Sequence, residues 1–326
     1  LNEYNLRANH KIIKKSGGGI MTDISEIIKT ADKHGCEILL NESLKNYTTF
    51  KIGGECRALI KINSADVLKK LIPQCKKNNI PYMILGKGSN VLIDDKGFNG
   101  VVFLIGKDFS EMNLVGEDII ECTSGVSLSR LSQFAYEHSL SGLEFSWGIP
   151  GTVGGAVFMN AGAYGGEIKD VIISCECIDS DGNTIKFSSD GMELSYRHSV
   201  FQTNRLIITK ASFKLKKGEK SEIRSKMDDY MERRKQKQPL EYPSAGSTFK
   251  RPEGSYASLL IEQCGLKGLS VGGAEVSKKH SGFIINRGNA SFNDVLELIN
   301  QVRSAVKEKT GYQLECEPEI IRFVDD

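Results

Sequence analysis

Eight glycines fall within the 25 residues "GLEFSWGIPGTVGGAVFMNAGAYGG" (142–166). Leu143, Phe145, Trp147, Ile149, Val153, Val157 and Phe158 stand between them, so the stretch is apolar as well as glycine-rich. A flexible glycine linker is polar and solvated, and this segment is neither. Its backbone has to lie packed against something, because glycine lets two surfaces meet without a Cβ between them. Any fold for the chain must therefore offer a close surface to Gly148, Gly151, Gly154 and Gly155, and that surface is either protein or a large flat ligand.

A second glycine turn precedes it, in "ILGKGSNVLI" (84–93). The dinucleotide fingerprint needs G-x-G-x-x-G between a strand and a helix. Gly86 and Gly88 fit the first two positions, but Val91 stands at the third and the continuation is β-like. A phosphate-binding P-loop needs a closing G-K-[ST], which is missing. The turn still offers successive backbone N–H groups, a nest for an anion, with Ser89 and Asn90 as further donors. Both glycines are expected at positive φ. Taken with the 142–166 segment, in which Asn160 is expected to donate to a ring edge, the turn points to a long phosphate-bearing cofactor on a strand-rich scaffold.

The remaining pattern is mixed α and β. Residues 21–35 read as a helix ending at Gly35, and 64–79 as a helix with Ser64 as its N-cap and a kink at Pro73. Residues 171–188 read as a hairpin turning at Asp181-Gly182-Asn183. The helix after Ser291 shows Val295, Leu298, Ile299, Val302 and Val306 on one face. A charged helix follows residue 217, where the domain boundary is placed. The 326 residues are 40% hydrophobic and 26% charged, which suits two or three domains. A net charge of +2 and the lack of a basic block with aromatics argue against nucleic acid. No run of about 18 apolar residues exists to cross a membrane as a helix. Eight cysteines without a C-x-x-C pair, and five scattered histidines, give no metal site. Cys175 and Cys177 alternate on a strand and are expected as buried small apolar residues. Free thiols and no apolar leader point to the cytoplasm. The segment 1–20 precedes Met21 and has no helical period, so Met21 is the expected natural start and 1–20 an extension.

Seven segments, "TTFKIGG", "LGKGSNVL", "GIPGTVGGAVFMNAGAYG", "YRHSVF", "GSTFKRP", "HSGFIIN" and "EPEIIRF", occur in this order between about Asn46 and Phe323. In these the chain resembles the UDP-N-acetylenolpyruvoylglucosamine reductase family. The resemblance implies an α+β structure. A vanillyl-alcohol-oxidase (PCMH) type FAD-binding fold would span 51–216, after a helix and lead-in at 21–50. A smaller α+β substrate-binding domain would span 217–326. It implies non-covalent FAD along Gly86, Lys87, Gly88, Ser89 and Asn90, and along Ile149, Gly151, Thr152, Gly154, Gly155, Asn160, Ala161 and Gly162.

The implied reaction is a cytoplasmic step of peptidoglycan synthesis, reducing UDP-N-acetylglucosamine enolpyruvate to UDP-N-acetylmuramate. NADPH is the hydride donor, and no protein partner is implied. By the resemblance Ser247 is the proton donor, Arg197 holds the carboxylate where charge builds, and Glu319 orients or relays. Lys250 and Arg251 would favour an anionic nucleotide sugar. Glu317 is a rival to Glu319 on the same strand face, and His198 and His280 are expected as packing or hydrogen-bonding residues. The short path from Arg197 to Ser247 matches the family form that lacks an inserted tyrosine loop, which leaves the cover of the sugar open. Two other readings stand beside it: a sugar or hydroxy-acid oxidase on the same fold, and a non-catalytic flavin-binding module.

Overall fold

The computed structural model describes residues 23–324, so the expectation for 1–20 lies outside the described residues. Three sheets carry the fold. The first has strands Glu37–Ser43, Glu55–Ile62, Phe98–Ile105 and Tyr82–Leu85 in that spatial order. Its first pair is antiparallel and the others are parallel. Parallel neighbours need a crossover, which helix Ala65–Lys77 supplies, and helix Ser25–Lys33 packs against it. Ile60, Leu68, Leu71, Ile72, Val101 and Phe103 are sealed between helices and sheet. Pro73 lies inside Ala65–Lys77 without ending it, and Ser64 takes the extended backbone of an N-cap but makes no capping bond.

The second sheet is antiparallel, in the order Thr184–Ser188, Ile172–Ile178, Ile207–Lys214, Ile119–Thr123, Met112–Val115. The hairpin at 179–183 closes on Asp179, whose Oδ1 accepts from the amides of Asp181 and Asn183. Cys175 and Cys177 are buried in the core of this layer, as their alternation predicts. Helix Leu128–Glu137, capped by Ser127, and the short helix Val153–Phe158 cover the sheet.

The third sheet, Ser270–Val271, Ala274–Val276 and Ile284–Asn286, packs on helices Ala257–Gln263 and Phe292–Thr310. The apolar face read from the sequence is this core: Val295, Leu298, Ile299, Val302 and Val306 are all buried. Ser291 and Asp294 form a capping box at the start of the long helix, and Gly311 ends it at φ +78°.

Helix Lys220–Lys237, placed by the sequence at the head of the second domain, packs instead on helix Leu128–Glu137 and the turn Glu144–Ser146. Ile223, Met227 and Arg234 are its buried residues. The third core begins only near Ala245. One strand returns from the end of the described chain: Glu319–Ile321 pairs in parallel with Val91–Ile93. That pairing fastens the third unit to the glycine turn at 86–90.

His280 sets a pH dependence for the third unit. Its Nδ1 accepts from the amide of Gly282 at 3.2 Å, and its ring meets Phe283 edge-on. Gly282 in turn accepts from the amide of Thr248. Burial pushes the imidazole below its ordinary value of 6.5, and Lys267 and Lys237 act in the same direction. The unfolded chain therefore takes up the proton first. The stabilisation is present above about pH 6.5 and is lost as pH falls below it. Denaturant midpoints should drop from about pH 7.5 to about pH 5.5, and His280→Asn should flatten that drop. Equal drops in both proteins would exclude this imidazole as the group.

Candidate active site

A cleft of ≈ 1910 Å³ opens where the three units meet. Drug-sized ligands occupy about 300–1,000 Å³, so this cleft has room for a dinucleotide and a second nucleotide together. The two glycine stretches form its floor. The turn at 86–90 does lie between two strands, and the amides of Lys87, Gly88, Ser89 and Asn90 donate to no protein group among the described residues. Gly88 sits at φ +58°, where a Cβ would overlap the carbonyl oxygen of Tyr47. Gly86 is not at positive φ. Its Cβ would stand 2.6 Å from Thr152 Oγ1, so what it permits is contact between the two glycine stretches. Thr152 caps helix Val153–Phe158 and also lines the cleft.

The glycines of the second stretch leave room for a flat cofactor. A Cβ at Gly151 or at Gly155 would meet only one atom within 4 Å, in each case at 3.7 Å. Bare backbone thus faces the cleft at both positions, and a side chain there would take the space of a ligand. Ile149, Gly154, Ala161 and Gly162 line the same wall. Asn160 does not. It is fully buried, its amide donates to Glu167 Oε2 and the Ser195 carbonyl, and its Oδ1 accepts from the amide of Lys169. With every polar atom engaged, it braces the loop behind the wall and has no donor left for a ring edge.

Arg197, Ser247 and Glu319 come from three distant parts of the chain and all line the cleft. The loop around Ser247 is clamped at several points. Thr49 Oγ1 donates to the Ser244 carbonyl at 2.7 Å. The amide of Asn286 bonds Pro243, and Thr248 bonds the main chain of Gly282 and Glu317. The amide of Ile284 bonds Thr248 Oγ1 at 3.0 Å. The Ser247 hydroxyl makes no hydrogen bond with any described residue, so a rigid loop presents a free donor.

Glu319 has no hydrogen-bond or ionic partner at its carboxylate among the described residues. The group is open to the cleft yet crowded by protein, and desolvation alone raises it above the ordinary carboxylate range. Glu317, its rival, lines the same cleft but is paired. It is more deeply enclosed and accepts from Arg197 Nε at 2.6 Å. Burial raises it while Arg197 pulls it back.

Lys250 and Arg251 do not line the cleft. Lys250 reaches Glu315, and Arg251 lies against the rings of Tyr256 and Tyr196. Other cations take their place. Lys87 lines the cleft with no carboxylate partner among the described residues, and burial lowers it. Arg234 also lines the cleft and is 7% exposed, with its Nε buried and unpartnered. One terminal nitrogen donates to Gln238 Oε1 at 3.2 Å and the guanidinium lies 6.0 Å from the centre of the Tyr164 ring; burial lowers the group as well, with Tyr164 opposing. A buried cation is ordinarily paired, so a phosphate-bearing ligand would supply what Arg234 lacks, and the exposed Lys87 adds a second positive charge to the same cleft. Arg234 carried no sequence signal, because its helix is charged on every face.

Comparison with known proteins agrees with this geometry. Residues 56–188 match the "FAD binding domain" family, and residues 238–321 match "UDP-N-acetylenolpyruvoylglucosamine reductase, C-terminal domain". The chain is 52% identical to the UDP-N-acetylenolpyruvoylglucosamine reductase of Clostridium novyi (strain NT) over 288 residues, 87% of this chain and 92% of that one. It is 47% identical to the protein of the same name from Caldanaerobacter subterraneus subsp. tengcongensis, over 93% of this chain and 98% of the relative. The crystal structure of UDP-N-acetylenolpyruvylglucosamine reductase (MurB) from Thermus caldophilus superposes with a TM-score of 0.74. It is 37% identical and covers 88% of this chain and 98% of that chain.

Proposed function

Because the chain belongs to the UDP-N-acetylenolpyruvoylglucosamine reductase family, we infer that its cleft reduces UDP-N-acetylglucosamine enolpyruvate to UDP-N-acetylmuramate, with FAD as cofactor and NADPH as reductant. The fold is the α+β, vanillyl-alcohol-oxidase type FAD-binding fold followed by a smaller substrate-binding unit. FAD, when bound, accepts the hydride from NADPH and supplies it to the terminal vinyl carbon of the substrate. The amides of 87–90 and the bare backbone at Gly151 and Gly155 would hold it.

The protein's own residues handle the substrate. Hydride addition to the terminal carbon builds negative charge on the inner vinyl carbon and on its carboxylate. Arg197 binds that carboxylate with its terminal nitrogens. The Ser247 hydroxyl donates the proton to the inner carbon. Glu319, desolvated and unpaired, holds a proton on the same wall. Lys87 and Arg234 offset the phosphates. The observation that carries this reading is that Arg197, Ser247 and Glu319 converge in the cleft floored by both glycine stretches.

A cytoplasmic setting is part of the proposal. Eight free cysteines, seven of them buried, support a reducing compartment. No helix among the described residues is long and apolar enough to cross a membrane. The test is anaerobic. NADPH should bleach the yellow protein, and UDP-N-acetylglucosamine enolpyruvate should restore the colour. Bleaching without restoration by this substrate would reject the reductase reading.

A further inference from the structure

Arg197 is held in an unusual way. Its backbone is left-handed at φ +55°, a conformation that a non-glycine residue keeps only where its surroundings impose it. They do. Ser195 and His198 bond each other's main chain, Asn160 donates to the Ser195 carbonyl at 2.9 Å, and Gln202 donates to the Arg197 carbonyl at 3.2 Å. The side chain then makes one bond, from Nε to Glu317 Oε1 at 2.6 Å. The Arg197 and Glu317 side chains are 19% and 12% exposed. The two terminal nitrogens of Arg197 bond nothing among the described residues. A guanidinium can grip a carboxylate with two parallel bonds, either by its Nε side or by its terminal end. Glu317 occupies the side and leaves the end open.

Glu317 itself is fixed. Its amide donates to the carbonyl of Thr248, next to Ser247, and its carbonyl accepts from Asn90 Nδ2 at 3.4 Å. A single residue thus spans the serine loop, the glycine turn and the arginine. Glu319, two residues on, makes no hydrogen bond or ion pair with Arg197 or Ser247.

We propose that Glu317 is the positioning residue of Arg197. It fixes the guanidinium by Nε so that the terminal nitrogens meet the carboxylate of the enolpyruvyl group, while Glu319 is left free for proton handling. The proposal rests on the reductase reading above. Removing Glu317 also removes a negative charge beside the arginine, and a bare increase of positive charge would tighten carboxylate binding. Positioning predicts the opposite sign.

The test uses the FAD-loaded full chain and its Glu317→Gln and Glu317→Ala variants. Dissociation constants are read from flavin absorbance for UDP-N-acetylmuramate, which carries the carboxylate, and for UDP-N-acetylglucosamine, which lacks it. Glu317→Ala should weaken the first by roughly 10–100-fold, the range of a lost charge-assisted hydrogen bond, and leave the second within about twofold. Reoxidation by the enolpyruvyl substrate should slow, while NADPH bleaching keeps its rate. Glu317→Gln keeps shape and acceptor but no charge, so it should fall between wild type and alanine. It carries the test if the alanine variant does not fold. Tighter binding of UDP-N-acetylmuramate in either variant, no change, or equal weakening of both nucleotides would overturn the proposal. Wild-type protein that binds neither nucleotide would overturn the reductase reading and this proposal with it.

Discussion

Ser247→Ala protein should load FAD, bleach with NADPH at the wild-type rate, and then reoxidise with the enolpyruvyl substrate roughly 10²–10⁴-fold more slowly, the range of a lost general acid. The asymmetry follows from the chemistry. Hydride transfer from NADPH needs no proton on carbon, whereas the substrate's inner carbon does. The structure adds a reason for a clean result. The serine hydroxyl bonds no group among the described residues, so its loss orphans none of them, and the loop stays clamped through Ser244, Thr248 and Pro243. Substrate affinity should shift by no more than about 1 kcal/mol, the net worth of one neutral hydrogen bond. Stopped-flow traces of the two half-reactions decide it. Equal slowing of both would mean general damage, and an unchanged second half would remove Ser247 from the chemistry.

Gly88→Val should yield folded but largely colourless protein. A β-branched residue at φ +58° is strained by about 1–3 kcal/mol, and the new side chain would overlap the Tyr47 carbonyl. The segment 47–49 has to retreat. With it goes Thr49, whose amide bonds the Gly88 carbonyl at 3.0 Å and whose hydroxyl holds Ser244. One substitution thus disturbs the amide nest and the serine loop together. Gly86→Ala should be milder, since its obstacle is a threonine side-chain oxygen and not main chain. Flavin absorbance per protein after gel filtration is the measure. Full occupancy in Gly88→Val would remove the turn from cofactor binding.

Local periodicity was legible because it depends on neighbours in the chain. The apolar face of helix Phe292–Thr310 and the inward pair Cys175 and Cys177 needed only spacing. The glycine stretches were legible as surfaces demanding close contact, though not which glycine served which contact. Gly88 answers to Tyr47, Gly86 to Thr152 and Gly154 to Ser124. Failures came where long-range partners decide. Period two puts Glu317 and Glu319 on one face, and only an arginine 120 residues away separates them. Asn160 has the right chemistry for a ligand but spends it on Glu167, Ser195 and Lys169. Lys250 and Arg251 follow the serine in sequence yet pair with Glu315 and two tyrosine rings outside the cleft. Helix Lys220–Lys237 is polar nearly all round, so no stripe announced which body it would pack on.

The parallel pairing of Glu319–Ile321 with Val91–Ile93 joins segments 227 residues apart at the neighbouring contact of Asn90 with Glu317. At the roughly 5–20 residues per second of protein synthesis, the earlier strand waits on the order of tens of seconds for its partner. Throughout that interval the emerging chain carries a bare strand edge beside its glycine turn, the kind of surface that recruits foreign strands. The cleft is therefore completed late in the life of the chain. The wall carrying Glu317 and Glu319 does not exist until the ribosome has passed residue 321. A cell short of FAD would accumulate chains whose cleft is complete but unfilled, while a cell translating slowly would accumulate chains whose cleft lacks a wall.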